Sequence, residues 1–215
     1  DYTATTTPAF TTVALPANIT LLGDGRYATR LLRAAGDNTT HLITHTANGS
    51  FAIRGMTIEG TGTSGAAEGL NCVAASANIS RVVLEDVYFT NTSSWAIRFQ
   101  AAAASFVDQC RMDHVHCDSA KSGGSLLLQG PGTNIIHCFA CQFNGPGFST
   151  YGADSMTRGA VHLNGGVNIN FTNCSFQPQD NGTCLSIDNT NGDVYGIHVN
   201  GCHFRPGVVV HRTPR

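Results

Sequence analysis

The chain has 215 residues, 12% of them charged, with 12 basic and 14 acidic side chains and a formal net charge of −2. That length fits one domain. The absence of a basic stripe excludes duplex nucleic acid as a partner, and no apolar run is long enough for a helical membrane span.

In chain order, residues 1–13 are Thr-rich and strand-prone and read as an N-terminal arm or the remnant strand of a preceding coil; residues 14–215 read as one domain. From Ile53 onward the sequence repeats. An apolar residue is followed by others three and five positions later: Ile53/Met56/Ile58, Leu84/Val87/Phe89, Val107/Cys110/Met112, Cys138/Cys141/Phe143, Phe171/Cys174/Phe176 and Val199/Cys202/Phe204. Steps of 31, 23, 31, 33 and 28 residues separate the copies, a period that belongs to solenoids. Each copy follows an alternating run such as Asn168-Ile169-Asn170-Phe171, which reads as a strand with one buried face. The step of three breaks that alternation and marks a bend onto a second short strand. A third strand precedes each copy, at Trp95 to Phe99, Ser125 to Leu128, Ala160 to Leu163 and Cys184 to Ile187. No repeat buries its own apolar face, whereas stacked repeats share one core. The fold expected is all-β: a single-stranded right-handed parallel β-helix of about six coils, three short strands per coil.

Met56, Val87, Cys110, Cys141, Cys174 and Cys202 occupy the plus-three position and are expected to stack as one inward column. Its four cysteines read as small apolar fillers. Parallel inward directions do not give disulfide geometry, and the cysteine spacings match no zinc pattern; no metal and no cofactor is expected. Cys138 and Cys184 fall on core positions, Cys72 opens a strand, and Cys117 lies beyond the frame, in or near a loop. Free thiols in this number argue against folding in an oxidising pathway. Eight Asn-x-Ser/Thr triplets occur, most of them attributable to chance in a chain so rich in Asn and Thr.

The stretch Leu15-Pro16-Ala17-Asn18-Ile19-Thr20-Leu21-Leu22-Gly23-Asp24-Gly25-Arg26, followed by Thr29-Arg30-Leu31-Leu32, resembles the first coil of the pectate-lyase-like right-handed parallel β-helix superfamily. It is most like the β-helix domains of phage tailspike and tail proteins. There a Leu-Pro step leads into a strand, then Gly-x-Gly-Arg, then a Thr before an apolar pair. Residues 41–61 continue the pattern, and as a fold the resemblance covers nearly the whole chain. It implies a polysaccharide or cell-surface glycan as partner, a virion (tail or spike) or otherwise extracellular location, and a homotrimer or other homo-oligomer. The chain departs from the family in leaving little room for an N-terminal cap, and it starts at Asp1 without a Met and stops soon after the last frame. An excised piece, a trimer or end-to-end stacking through an open sheet edge is therefore expected.

Insertions after the frame, at residues 60–69, 113–124 and 144–159, are expected to leave one corner of successive coils and wall a groove. The longest carries Phe148, Tyr151, Asp154 and Arg158. Ring, carboxylate and guanidinium together suit sugar binding; a solvated loop with one packed aromatic is the plainer reading. The densest polar cluster runs from Arg111 to Lys121, where His114, His116 and Asp118 alternate onto one side. Such a set can bind a metal, bind substrate, serve as acid and base, or form a hydrogen-bonded surface cluster, the last being the plainest reading. Glycoside hydrolysis needs two carboxylates about 5 to 9.5 Å apart. Glu59 and Asp113, expected two coils apart in the row that follows the frame, would stand roughly 9.6 Å apart, with His116 as a further acid or base. The paired-aspartate and Gly-His-Gly motifs of polygalacturonase-like hydrolases are absent, as is the acidic calcium cluster of pectate lyases; His116, Tyr151 and Arg158 can be cast as a lyase base and uronate neutraliser. Three readings follow: a phage-type structural β-helix module that recognises surface glycans, a polysaccharide lyase or glycoside hydrolase of the same fold, or a purely structural, self-assembling subunit. Fold alone does not choose among them.

Overall fold

The computed structural model describes residues 12–33, 37–63, 65–118, 123–145, 159–178, 183–205 and 208–212, the last by backbone alone. They form twenty strands, numbered here in chain order, and no helix. Eight make one sheet in spatial order: β1 (Val13–Ala14), β4 (Ile43–His45), β6 (Leu70–Ala74), β8 (Ile97–Ala101), β11 (Leu126–Gln129), β14 (Val161–Asn164), β17 (Thr183–Ile187) and β20 (Val208–Arg212). The other twelve make a second sheet folded into two arms. The first arm carries β2 (Ile19–Leu22), β9 (Phe106–Asp113), β12 (Thr133–Phe139), β15 (Gly166–Thr172) and β18 (Val194–Asn200). The second carries β3 (Arg30–Leu32), β10 (His116–Asp118), β13 (Gln142–Asn144), β16 (Ser175–Gln177) and β19 (His203–Phe204). β5 (Gly49–Glu59) and β7 (Asn78–Thr90) run unbroken through both arms. All pairings are parallel, such as Cys138↔Phe171 and Leu126↔Val161. The molecule is a parallel β-solenoid of about six turns, as the repeat predicts.

The step of three has a simple cause. Two residues after each frame start, the backbone is left-handed: Gly55, Asp86, His114, Ala140, Asn173 and Gly201 have φ between 50° and 62°. One left-handed residue shifts the pleat by one position, so residues zero and three both point inward. Asn and Asp tolerate this conformation and Gly adopts it freely. Five of these six turns hold a second bend of the same kind five residues earlier, at Arg81, Gln109, Ile135, Asn168 and Gly196, with φ between 50° and 67°. The β-branched Ile135 is the most strained of these.

The twin bends explain one correction. The triplet Val107/Cys110/Met112 matches the frame but belongs to the first bend, around Gln109; Val107 pairs with Ile79 and Thr133, and Met112 with Leu84 and Cys138. The true third copy is therefore Met112/Val115/Cys117. Cys110 leaves the plus-three column, which reads Met56, Val87, Val115, Cys141, Cys174 and Cys202. Cys110 instead stacks on Ile136, still fully buried. Cys117, expected in or near a loop, is a core residue paired with Phe89 and Phe143.

All eight cysteines are free, and all but Cys202 are buried. The plus-three thiols do more than fill space. Cys141 Sγ donates to Met112 O (3.5 Å), Cys174 Sγ to Cys138 O (3.4 Å) and Cys202 Sγ to Phe171 O (3.4 Å). In each case the acceptor is the frame-start carbonyl of the preceding turn, beside the corner. Phenylalanines fill the C-terminal half of the core: Phe143, Phe171 and Phe176 meet at 5.3–6.0 Å, and Phe176 stacks on Phe204 at 4.8 Å and 4°. On the far side, Gly165 (φ +108°) stacks against the backbone of Gly130; a Cβ there would meet Gly130 atoms at 2.8 Å. Only glycine lets these two turns approach so closely.

Candidate functional site

Two surfaces gather polar chemistry. The first contains Glu59, His116 and Asp118 of the residues singled out by sequence and lies on the outward face of the second arm. Glu59, Thr90 and Asp118 form one outward row. With the frame corrected, Asp118 occupies the place expected for Asp113, two rungs from Glu59. Asp113 sits before the corner, on the first arm, where it neighbours Glu85. Glu59 and Asp113 thus stand in different rows on either side of the corner, not in the one row the sequence suggested. Glu59 is held by Arg30 and by Asn91 Nδ2 (3.3 Å). Asp113 accepts from Arg111 Nη2 (2.5 Å) and contacts His114 Nδ1 (2.6 Å). Burial alone would raise the Asp113 pKa, but these bonds and charges outweigh it and hold the carboxyl below its ordinary value.

His114, at the left-handed corner, is exposed, while His116 lies half-buried on the second arm. His116 and Asp118 therefore share the outward face of β10, as alternation predicts, while His114, at the corner before it, does not join them. The His116 ring packs on Tyr88 at 4.8 Å, and Tyr27 meets Tyr88 edge-on at 6.4 Å. Asn144 Nδ2 donates to His116 Nε2 (3.3 Å). Burial is the largest effect lowering the His116 pKa; Asp118 raises it and Arg26 lowers it further. The His116 Nε2 is thus already engaged by the Asn144 amide. Tyr88 Oη donates to Asp118 Oδ2 (3.4 Å). Arg26, from the Gly-x-Gly-Arg stretch, straps this region: Nε donates to Asp86 Oδ1 (2.5 Å) and Nη2 to His114 O (2.9 Å). Tyr151, Asp154 and Arg158 lie outside the described residues.

The second surface escaped the sequence reading. On the outward face of the eight-stranded sheet is a cleft of about 470 Å³, lined by Glu68, Trp95, Arg98, Gln129, His162, Asn164 and Asp188 among others. Alternation along β8, β11 and β14 turns Arg98, Leu127 and His162 outward in one row, and Gln100, Gln129 and Asn164 in the next. Trp95, the single tryptophan, forms a wall with its ring 6.0 Å from that of His162. Gly124 seats the indole, since a Cβ there would lie 2.5 Å from Trp95 Cζ3. Glu68, almost fully buried, pairs with Arg98 Nη1 (3.2 Å) and with His41. Arg98 Nη2 donates to Gln100 Oε1 (2.5 Å) and Gln129 Oε1 (3.0 Å). His162 Nδ1 lies 3.1 Å from Ser186 Oγ. Concave shape, one aromatic wall and convergent polar groups on a rigid sheet are what a small-molecule or glycan site requires. The sequence did carry a signal: the third strands β8, β11 and β14 carry a polar residue at or next to their ends, Gln100, Gln129 and Asn164, and in two of them another polar residue, Arg98 or His162, stands two positions before it. No group of three or more metal-ligating side chains is present among the described residues.

No protein-family profile matches the chain, and no curated protein matches it. Among solved structures it is similar to the catalytic domain of GH87 alpha-1,3-glucanase in complex with nigerose, in one native form and one alanine variant. Identity is 12% and the TM-score 0.26 in both, over 94% of this chain and 62% of that one. The chain spans about six tenths of the length of those domains, and a likeness this distant says nothing of activity.

Proposed function

We propose that this solenoid is a carbohydrate-active protein that holds a polysaccharide in the cleft of its eight-stranded sheet. The observation that carries the reading is the convergence there of an indole wall, amides, a guanidinium and carboxylates around about 470 Å³ of concave surface. Aromatic rings take the apolar faces of sugars and polar side chains take their hydroxyls. The resemblance of the first coil to tail and spike domains makes surface polysaccharides the class to test first. Trp95 is the sole indole, so its emission is a direct reporter: titration with acidic and neutral polysaccharides is expected to shift it, and Trp95→Phe to weaken retention of the same glycan. Retention by a protein whose indole never responds would move binding away from the cleft.

A second reading, glycoside hydrolysis, is favoured by one feature: Glu59 and Asp118 share an outward row two rungs apart, roughly 9.6 Å by strand spacing, near the wide limit for an inverting pair. Reducing-sugar release that is lost in both Glu59→Gln and Asp118→Asn supports it. Absorbance near 235 nm in place of sugar release would indicate a lyase.

A further inference from the structure

The row Gln100, Gln129, Asn164 and Asp188 has a regularity that general glycan binding does not demand. Gln100 pairs with Gln129 and Gln129 with Asn164 across β8, β11 and β14. Asp188 follows β17, its N–H bonded to Leu163 O (2.8 Å), and extends the row by one rung. Four hydrogen-bonding side chains therefore stand one per rung, about 4.8 Å apart, along the solenoid axis. That spacing is close to the distance between successive pyranose rings in an extended chain.

The orientation of these amides is fixed by their partners. Gln100 Oε1 and Gln129 Oε1 each accept from Arg98 Nη2, and a guanidinium only donates. Asn164 Oδ1 accepts from the Asn191 N–H (2.9 Å) and Thr190 Oγ1 (3.0 Å). The amide oxygens are thus consumed, and none of the three amide nitrogens has a partner among the described residues. Asp188 Oδ1 accepts from the Thr190 N–H (2.9 Å), which leaves Oδ2 as an acceptor. Along the row the surface offers donor, donor, donor, acceptor.

Charge narrows the ligand. Arg98 Nη1 is bonded to Glu68 and Nη2 to both glutamines, and its Nε is sealed from solvent. The only cation among the described lining residues is therefore committed to the protein. Glu68 and Asp188 set against Arg98 leave one net negative charge in the lining, which disfavours polyuronates.

We propose that Gln100, Gln129, Asn164 and Asp188 are four successive subsites, one per rung, for a linear uncharged glycan laid along the solenoid axis. The proposal rests on the cleft being the glycan site and adds its ligand class and direction.

The test is titration of Trp95 emission, with calorimetry alongside, using neutral gluco- and manno-oligosaccharides from monosaccharide to hexasaccharide and oligogalacturonates of matching length. Affinity for the neutral series is expected to climb to the tetrasaccharide and then level off, with the uronates at least tenfold weaker. Asn164→Asp and Gln129→Glu keep the acceptor oxygens that bind Asn191 and Arg98 and replace each donor with a carboxylate oxygen, adding one negative charge; Asn164→Leu and Gln129→Met, which remove the donor without adding charge, are measured beside them. Each should weaken the tetrasaccharide roughly five- to tenfold while leaving the disaccharide less affected. Equal affinity for disaccharide and tetrasaccharide, equal affinity for uronates, or unchanged binding in these variants overturns the ladder while glycan binding itself stands. A silent indole and no heat across both series overturns the cleft as a glycan site and the ladder with it.

Discussion

A single left-handed residue at each corner decides which side chains face the core. Frame start and plus-three residues both point inward because the residue between them reverses the pleat, and the apolar spacing records this without alignment or template. The same rule limited the reading. Gln109 makes an identical bend within the same turn as His114, so Val107/Cys110/Met112 carries the same apolar signature as Met112/Val115/Cys117. Apolar pattern alone cannot separate two bends of identical geometry five residues apart. That displacement moved Asp113 into a row that Asp118 occupies. The thiols show what the pattern does encode: Cys141, Cys174 and Cys202 each donate to a carbonyl of the preceding turn, a task that Val87 and Val115 in the same column cannot perform. Replacing Cys174 with Asp is expected to cost several kcal/mol, because an unpaired charge would enter a dry core; a melting temperature equal to the parent's would contradict the column. Burial pushes the thiols of Cys72, Cys110, Cys117 and Cys138 up and that of Cys184 up to about 11. Rapid alkylation of the native protein is accordingly expected at none of these five, and first at the partly exposed Cys202.

At the scale of strands and loops, the Gly-x-Gly-Arg stretch acts as a strap. Arg26 leaves the first rung and ties the side chain of Asp86 and the carbonyl of His114, residues of two later corners. Arg26→Ala is expected to cost about 1 kcal/mol, since Asp86 is half exposed and solvent screens the pair. The loss should be local: faster amide exchange in β2 and β3, with β12 and β15 unchanged. Uniform acceleration over all strands would show that the strap does not act alone on the N-terminal rungs. Strand order and pairing were legible because burial on one face imposes a period of two. The cleft was not, because outward residues such as Gln129 and Asn164 look the same in sequence whether they face bulk water or line a concavity. Only the register that stacks them on adjacent rungs distinguishes the two cases.

For the molecule as a whole, acid stability follows from two groups on either side of one corner. His116 is held below its ordinary 6.5, chiefly by burial. The unfolded imidazole therefore binds a proton that the folded one resists, and stability falls as pH drops below 6.5. Asp113 is held below its ordinary 3.8, so its contribution is present above that value and is lost as pH falls through the lower folded value. Urea midpoints measured against pH should decline in two steps; His116→Asn should remove the upper and Asp113→Asn the lower, and a curve unchanged in either variant would refute that assignment. The rungs also make the molecule a ruler. Cys138 and Phe171 occupy the same column on adjacent turns, so excising residues 138 to 170 would rejoin the chain in register, one graduation shorter. The steps between frames vary while the columns do not, so the variation in length is absorbed by the loops. On the proposed glycan ladder, the reach of the cleft in sugars is then a count of turns and can change by whole units without any redesign of the core.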